Sequence, residues 1–130
     1  LQIQSLTPDW LKSQLDSAGI KWRVVVVSSC FSGTFIPPLQ NPQSLIITAS
    51  AANKTSFGCT DDADFTYFGR AFFDEALRQE HSLVNAFETA KMTIAEREKE
   101  EGFAPSQPQI YIGTEMEQAL PMLEEGLFPE

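Results

Sequence analysis

The chain has 130 residues, a formal net charge of −9, two cysteines and 42% apolar residues. That length suits one domain or a large part of one, and the apolar fraction is enough to build a core. The acidic balance excludes nucleic acid as a partner, because phosphate binding needs a basic face, and no apolar run approaches the roughly 20 residues of a membrane span.

Thr7-Pro8 has the chemistry of a helix N-cap followed by a first helical position. Trp10, Leu11 and Leu15 then recur at helical spacing, and Gly19 ends the segment. Lys21 to Val27 is rich in β-branched residues and too short for a helix, which predicts a buried strand. Pro37, Pro38 and Pro42 punctuate the connection to a second buried strand, Leu45 to Ala49. Residues 53–64, NKTSFGCTDDAD, are polar and turn-rich and predict a surface loop. A calcium site at Asp61, Asp62 and Asp64 lacks the full ligand spacing, so these read as a solvated acidic loop.

A helix is predicted over Thr66–Gln79, with Phe68, Phe72, Phe73, Ala76 and Leu77 on its buried side. Ser82 can cap the next helix, whose apolar stripe is Leu83, Ala86, Phe87, Ala90 and Ile94. Glu96–Glu101 reads as its charged, solvated end, stopped by Gly102. Gln109–Ile112 predicts a third strand, with a short helix from Glu115. Strands alternating with helices argue for an α/β domain with a mainly parallel sheet flanked by helices. Three strands are few for such a sheet, and the chain opens on Leu1. Residues 1–130 are therefore expected to be the C-terminal part of a single domain whose N-terminal strands are missing.

Cys30 closes the apolar run VVVVSSC, just past a strand end, where function gathers in open α/β sheets. A helical turn after it would aim unpaired N–H groups near the sulfur and favour thiolate. A buried, inert cysteine is the competing reading. Cys30 and Cys59 have no metal-ligand spacing, a bridge between them stays open, and no metal or cofactor is implied. A phosphatase-type loop would need Arg six positions after the cysteine, where Ile36 stands. No Gly-x-Ser-x-Gly elbow occurs for a hydrolase serine.

Four segments carry a family resemblance in order: Ser28-Ser29-Cys30-Phe31-Ser32-Gly33, Ser50-Ala51-Ala52-Asn53, Ser56-Phe57-Gly58-Cys59 and Thr66-Tyr67-Phe68-Gly69. Together the chain resembles the legumain-type cysteine peptidases (asparaginyl endopeptidases) of the caspase and gingipain clan, and looks closest to bacterial members. The resemblance implies a caspase/haemoglobinase-like three-layer sandwich and a cysteine endopeptidase acting on peptide or protein substrates. It places the nucleophile at Cys30, and Cys59 at a position that is usually not catalytic. It implies pocket or substrate-binding roles for Ser28, Ser29, Thr55, Ser56 and Arg70. In legumain the positions of Ser28 and Arg70 are acidic; for Arg70 the competing reading is an exposed helix arginine pairing with Asp74 at i,i+4.

The resemblance also implies a catalytic histidine in a His-Gly segment before the Cys30 strand. No histidine precedes Cys30, and the sole histidine, His81, reads as a surface linker between two helices. A cysteine peptidase needs a neighbouring imidazole, so the base is expected outside this chain. The partner is then the missing N-terminal part of the domain, and this chain alone is expected to be inactive. Association into an oligomer and the compartment are both open. The alternative function is a non-catalytic α/β interaction module that keeps the scaffold without the chemistry.

Overall fold

The computed structural model describes residues 7–29, 31–54, 67–79 and 82–127. Helix α1 (Pro8–Ser17) starts as its sequence predicts: Thr7 Oγ1 accepts from the Trp10 N–H at 3.1 Å and Pro8 takes the first turn. Such a cap is worth about 1 kcal/mol. Leu11 and Leu15 face the sheet, but Trp10 is half exposed. Asp16 on the same helix anchors the next element. The buried Arg23 guanidinium donates to Asp16 Oδ1 at 2.6 Å and to the Ile20 carbonyl at 2.7 Å.

Strand β1 (Arg23–Val27) leads through Ser28 and Ser29 to a 3-10 helix, Ser32–Phe35, and then α2 (Ile36–Leu39). The prolines predicted to punctuate this connection, Pro37 and Pro38, sit in the first turn of α2, where a missing N–H costs nothing. Strand β2 (Ser44–Thr48) pairs parallel to β1, Val24 opposite Leu45 and Val27 opposite Thr48. A segment from 67 to 79 runs α3 (Tyr67–Gly69), π-helix (Arg70–Ala76) and α4 (Leu77–Gln79). It is followed by α5 (Leu83–Glu101), β3 (Gln109–Ile112) and α6 (Thr114–Leu127).

The sheet order is β1-β2-β3, and β3 runs antiparallel to β2. The expected mainly parallel sheet is therefore mixed. The reason is the helix pair between β2 and β3. One crossover helix would return the chain to the amino end of β2. Two successive helical segments bring it back to the carboxyl end, where Ala51 N–H donates to the Ser106 carbonyl, so β3 must run back. An Arg97–Glu75 ion pair at 2.9 Å ties α5 to the segment before it.

Helices cover both faces. On one face Leu45, Ile47 and Ala49 pack with Phe68, Phe72, Phe87, Ala90, Ile94, Met116 and Leu120. Phe68 and Phe72 stack with ring centres 5.7 Å apart. On the other face Ile46 packs with Phe35 and Leu39, backed by Leu11 and Leu15. This is an α/β arrangement compatible with a caspase-like fold.

Several local expectations need correction. Phe73 points outward and is 47% exposed, because the wider π turn carries it away from the stripe that holds Phe72. The helix after Glu115 is not short: it runs to Leu127 with Pro121 inside it. Its first turn carries Glu115 and Glu117, which suit a helix N-terminus. Glu98, read as part of a solvated end, is buried, one turn beyond Ile94 on the apolar stripe. Gly102, in the left-handed region at φ 74°, stops α5 as predicted.

Candidate active site

The carboxyl ends of β1 and β2 lie side by side, joined by Ala49 N–H donating to the Val27 carbonyl at 2.9 Å. Two loops therefore leave the sheet together: residues 28–33 after β1 and residues 49–54 after β2. Cys30 lies outside the described residues, but both of its neighbours are described and both are held. On the amino side, the Ser29 carbonyl accepts from Ser50 Oγ at 3.2 Å. On the carboxyl side, the Phe31 N–H donates to the Lys54 carbonyl at 2.8 Å.

Phe31 adopts φ 58°, a left-handed conformation that costs an L residue about 1–2 kcal/mol. Its carbonyl accepts from Thr34 N–H at 3.1 Å and Thr34 Oγ1 at 2.8 Å, and its ring stays half exposed. The hydrogen bonds hold the backbone in the strained form. Strain of this kind gathers at functional sites.

The next two residues lock the turn onto the loop after β2. Ser32 and Ser50 are fully buried and bond reciprocally. Ser32 N–H donates to Ser50 Oγ at 3.1 Å, and Ser50 N–H donates to Ser32 Oγ at 3.1 Å. Gly33 then presses on the Ala51–Ala52 peptide. A Cβ at position 33 would lie 2.7 Å from the Ala51 carbonyl carbon and closer still to the Ala52 nitrogen, so only glycine fits.

The loop after β2 is itself tied from behind. Ala51 N–H donates to the Ser106 carbonyl at 2.9 Å, and Ser106 N–H donates to the buried Glu98 carboxylate at 2.8 Å. Glu98 thus reaches the site region through two backbone groups. Its signal was in the sequence: it continues the stripe of Phe87, Ala90 and Ile94. Ser32 and Ser50 also carried a signal, small hydroxyl residues placed just after two neighbouring strands.

Of the predicted site residues, Ser28 and Ser29 line a groove of about 480 Å³ with Leu11, Val25, Val26, Val27 and Phe35. Thr55, Ser56, Cys59 and His81 lie outside the described residues. Arg70 has a 61% exposed side chain and reaches Glu75 at 3.9 Å, not Asp74; Asp74 pairs with Arg78 at 3.0 Å. The π-helix explains the change, because its wider turn brings i+5 rather than i+4 alongside. No hydrogen bond or ion pair among the described residues joins Arg70 to Ser28 or Ser29. No cluster of three metal-ligating side chains occurs among the described residues.

The arrangement holds Ser29 and Phe31, the two neighbours of position 30, each by a hydrogen bond to the loop after β2. The family model for the Peptidase C13 family matches residues 2–118 of the chain. No curated protein matches it.

Proposed function

Since the chain belongs to the Peptidase C13 family, the legumain-type cysteine peptidases, we propose that it carries the nucleophile half of a cysteine endopeptidase site, with Cys30 as the nucleophile. The observation that carries this reading is the double hold on its neighbours, Ser29 by Ser50 and Phe31 by Lys54, at the carboxyl end of a parallel strand pair. The reaction follows from that placement. The Cys30 thiolate attacks the scissile carbonyl carbon, forming a C–S bond and an oxyanion. The Cys30 N–H and a glycine N–H outside this chain stabilise that oxyanion. A histidine outside this chain protonates the leaving amine as the C–N bond breaks, and water then hydrolyses the thioester.

The histidine and the first strands of the sheet are supplied along the outer edge of β1. Two features support this. No described residue pairs with that edge, and Val24 on it is 44% exposed. Grooves lie against β1 on both faces, the one that ends at Ser28 and Ser29 and one of about 340 Å³ lined by Trp22, Val24, Leu83, Met116, Leu123 and Gly126. An added strand with helices on each side would complete a caspase-like three-layer sandwich, of which residues 1–130 are the C-terminal part.

The pocket before the scissile bond is formed with Ser28 and Arg70, while Ser29, Thr55 and Ser56 contact substrate backbone. Two positions that are acidic in legumain are then a hydroxyl and a cation, so the enzyme is not a strict asparaginyl endopeptidase. An Arg70 guanidinium in the pocket favours an acidic side chain by about 1.5–3 kcal/mol, roughly ten- to hundredfold. A substrate-library profile of wild type and Arg70→Ala tests this. A preference for Asn, Lys or Arg overturns it, and an acidic preference unchanged in Arg70→Ala overturns the role of Arg70.

The test of the main reading is alkylation with mass mapping in a preparation that turns over peptide. Cys30 is expected to label faster than Cys59; equal or inverted rates count against a thiolate at Cys30. The 130-residue chain alone is expected to be silent. A second reading, a non-catalytic interaction module, is favoured by one observation, the single histidine at position 81.

A further inference from the structure

Glu75 stands between two cations. Its Oε1 accepts from Arg97 Nη2 at 2.9 Å and lies 3.9 Å from Arg70 Nε. The first distance is a charge-assisted hydrogen bond, while the second is too long for one and leaves only Coulomb attraction. One carboxylate oxygen is thus shared unequally. Arg97, only 33% exposed, is the fixed partner. Arg70 is mostly exposed and loosely held. The local backbone is the cause. The π-helix Arg70–Ala76 sets residue 75, not residue 74, beside Arg70. Asp74, the carboxylate that an α-helical turn would offer, pairs instead with Arg78 at 3.0 Å.

A substrate carboxylate that reaches Arg70 competes with Glu75 for the same guanidinium, and Glu75 also repels it. Because Arg97 holds the Glu75 oxygen more closely, Arg70 stays open to that competitor. We propose that Glu75 is a positioning residue for substrate selection: divided between Arg97 and Arg70, it sets how much of the Arg70 guanidinium is offered to an acidic substrate side chain. This rests on the reading of Arg70 as a pocket residue. Two signs follow. Neutralising Glu75 removes a competitor and a repulsion, so the preference for an acidic side chain rises. Removing the Arg97 charge frees Glu75 for Arg70, so the preference falls. A general loss of stability cannot produce opposite changes in one ratio. Each change has the size of a surface ion pair, roughly two- to fivefold.

The test uses a preparation that cleaves peptide and two fluorogenic peptides that differ only in Asp or Asn before the cut. The readout is the ratio of their kcat/KM values. Glu75→Gln is expected to raise the Asp/Asn ratio roughly two- to fivefold, and Arg97→Met, which keeps an apolar stem, to lower it by a similar factor. Both changes should vanish when Arg70→Ala is added, because each acts through Arg70. A ratio unchanged or lowered in Glu75→Gln overturns the proposal, while the pocket reading stands if Arg70→Ala alone abolishes the acidic preference. An equal loss on both peptides also overturns it, because that is the mark of a merely structural ion pair. So does a rise in Glu75→Gln that persists beside Arg70→Ala, which would be an effect of net charge alone. Should Arg97→Met fail to fold, Glu75→Gln with and without Arg70→Ala decides. A wild-type ratio in Arg70→Ala shows that the pocket reading itself has failed, and the role of Glu75 falls with it.

Discussion

Strands β1 and β2 have nearly the same apolar content and lie in parallel register, yet their surroundings differ. All five residues of β2 are buried, whereas β1 is buried only at Arg23. Val24 is 44% exposed beside Leu45, which is fully covered. A sequence like Val24–Val27 belongs to a strand covered on both faces. The outer side of β1 is thus the side on which the proposed neighbouring strand would add. Among the described residues, the inner edge of β1 is paired with β2 and no strand pairs with its outer edge.

The largest effects should separate the two strands by energy. Ile47→Ala in β2 should cost about 2–5 kcal/mol and Phe87→Ala beneath it about 3–5 kcal/mol. Val24→Ala should stay near 0.5 kcal/mol in this 130-residue chain. Urea unfolding midpoints would check this. A Val24→Ala cost equal to that of Ile47→Ala would mean that β1 is already as covered as β2.

Next in size is a pair of glycines that suffer the same insult at opposite ends of the sheet. A Cβ at Gly33 meets the Ala51–Ala52 backbone, and one at Gly113 meets the backbone of Asn41 and Pro42. Each substitution to Ala should destabilise by about 1–3 kcal/mol through overpacking. Only Gly33→Ala should also change the alkylation rate of Cys30. Equal effects of both on Cys30 would break the link between this contact and the turn.

The smallest effect concerns the anchored start of β1. Lys12 and Arg23 both donate to the Asp16 carboxylate at 2.6 Å, and these bonds, Lys12 first, hold its carboxyl below the ordinary value of 3.8. A lowered folded pKa stabilises above the ordinary value and loses that contribution as pH falls through the folded value. Asp16→Asn should therefore lower the unfolding midpoint slightly at pH 7, and the gap to wild type should close on acidification. A gap that widens in acid would contradict the pairing.

Much of this fold was legible because local chemistry and tertiary packing agree. Thr7 and Ser82 cap helices, Gly102 stops one, and the apolar runs at Val24 and Leu45 are strands. The antiparallel β3 was not legible, since its direction depends on where two successive helical segments return the chain, which no local pattern declares. Phe73 and Arg70 were misplaced for one shared reason: an α-helical period was applied where the backbone takes a π turn. At the site, position 30 was singled out from the strand end and the family resemblance, and it lies outside the described residues. The serines that hold its turn were not singled out, because a hydroxyl's partner 18 residues away is invisible until the two strands pair.

The proposed role of Cys30 as the nucleophile has one direct test. The direct measurement is turnover in a preparation that cleaves peptide, wild type against Cys30→Ala, with Cys59→Ala as the control. The account predicts that turnover vanishes in Cys30→Ala and persists in Cys59→Ala. Turnover retained in Cys30→Ala would contradict it.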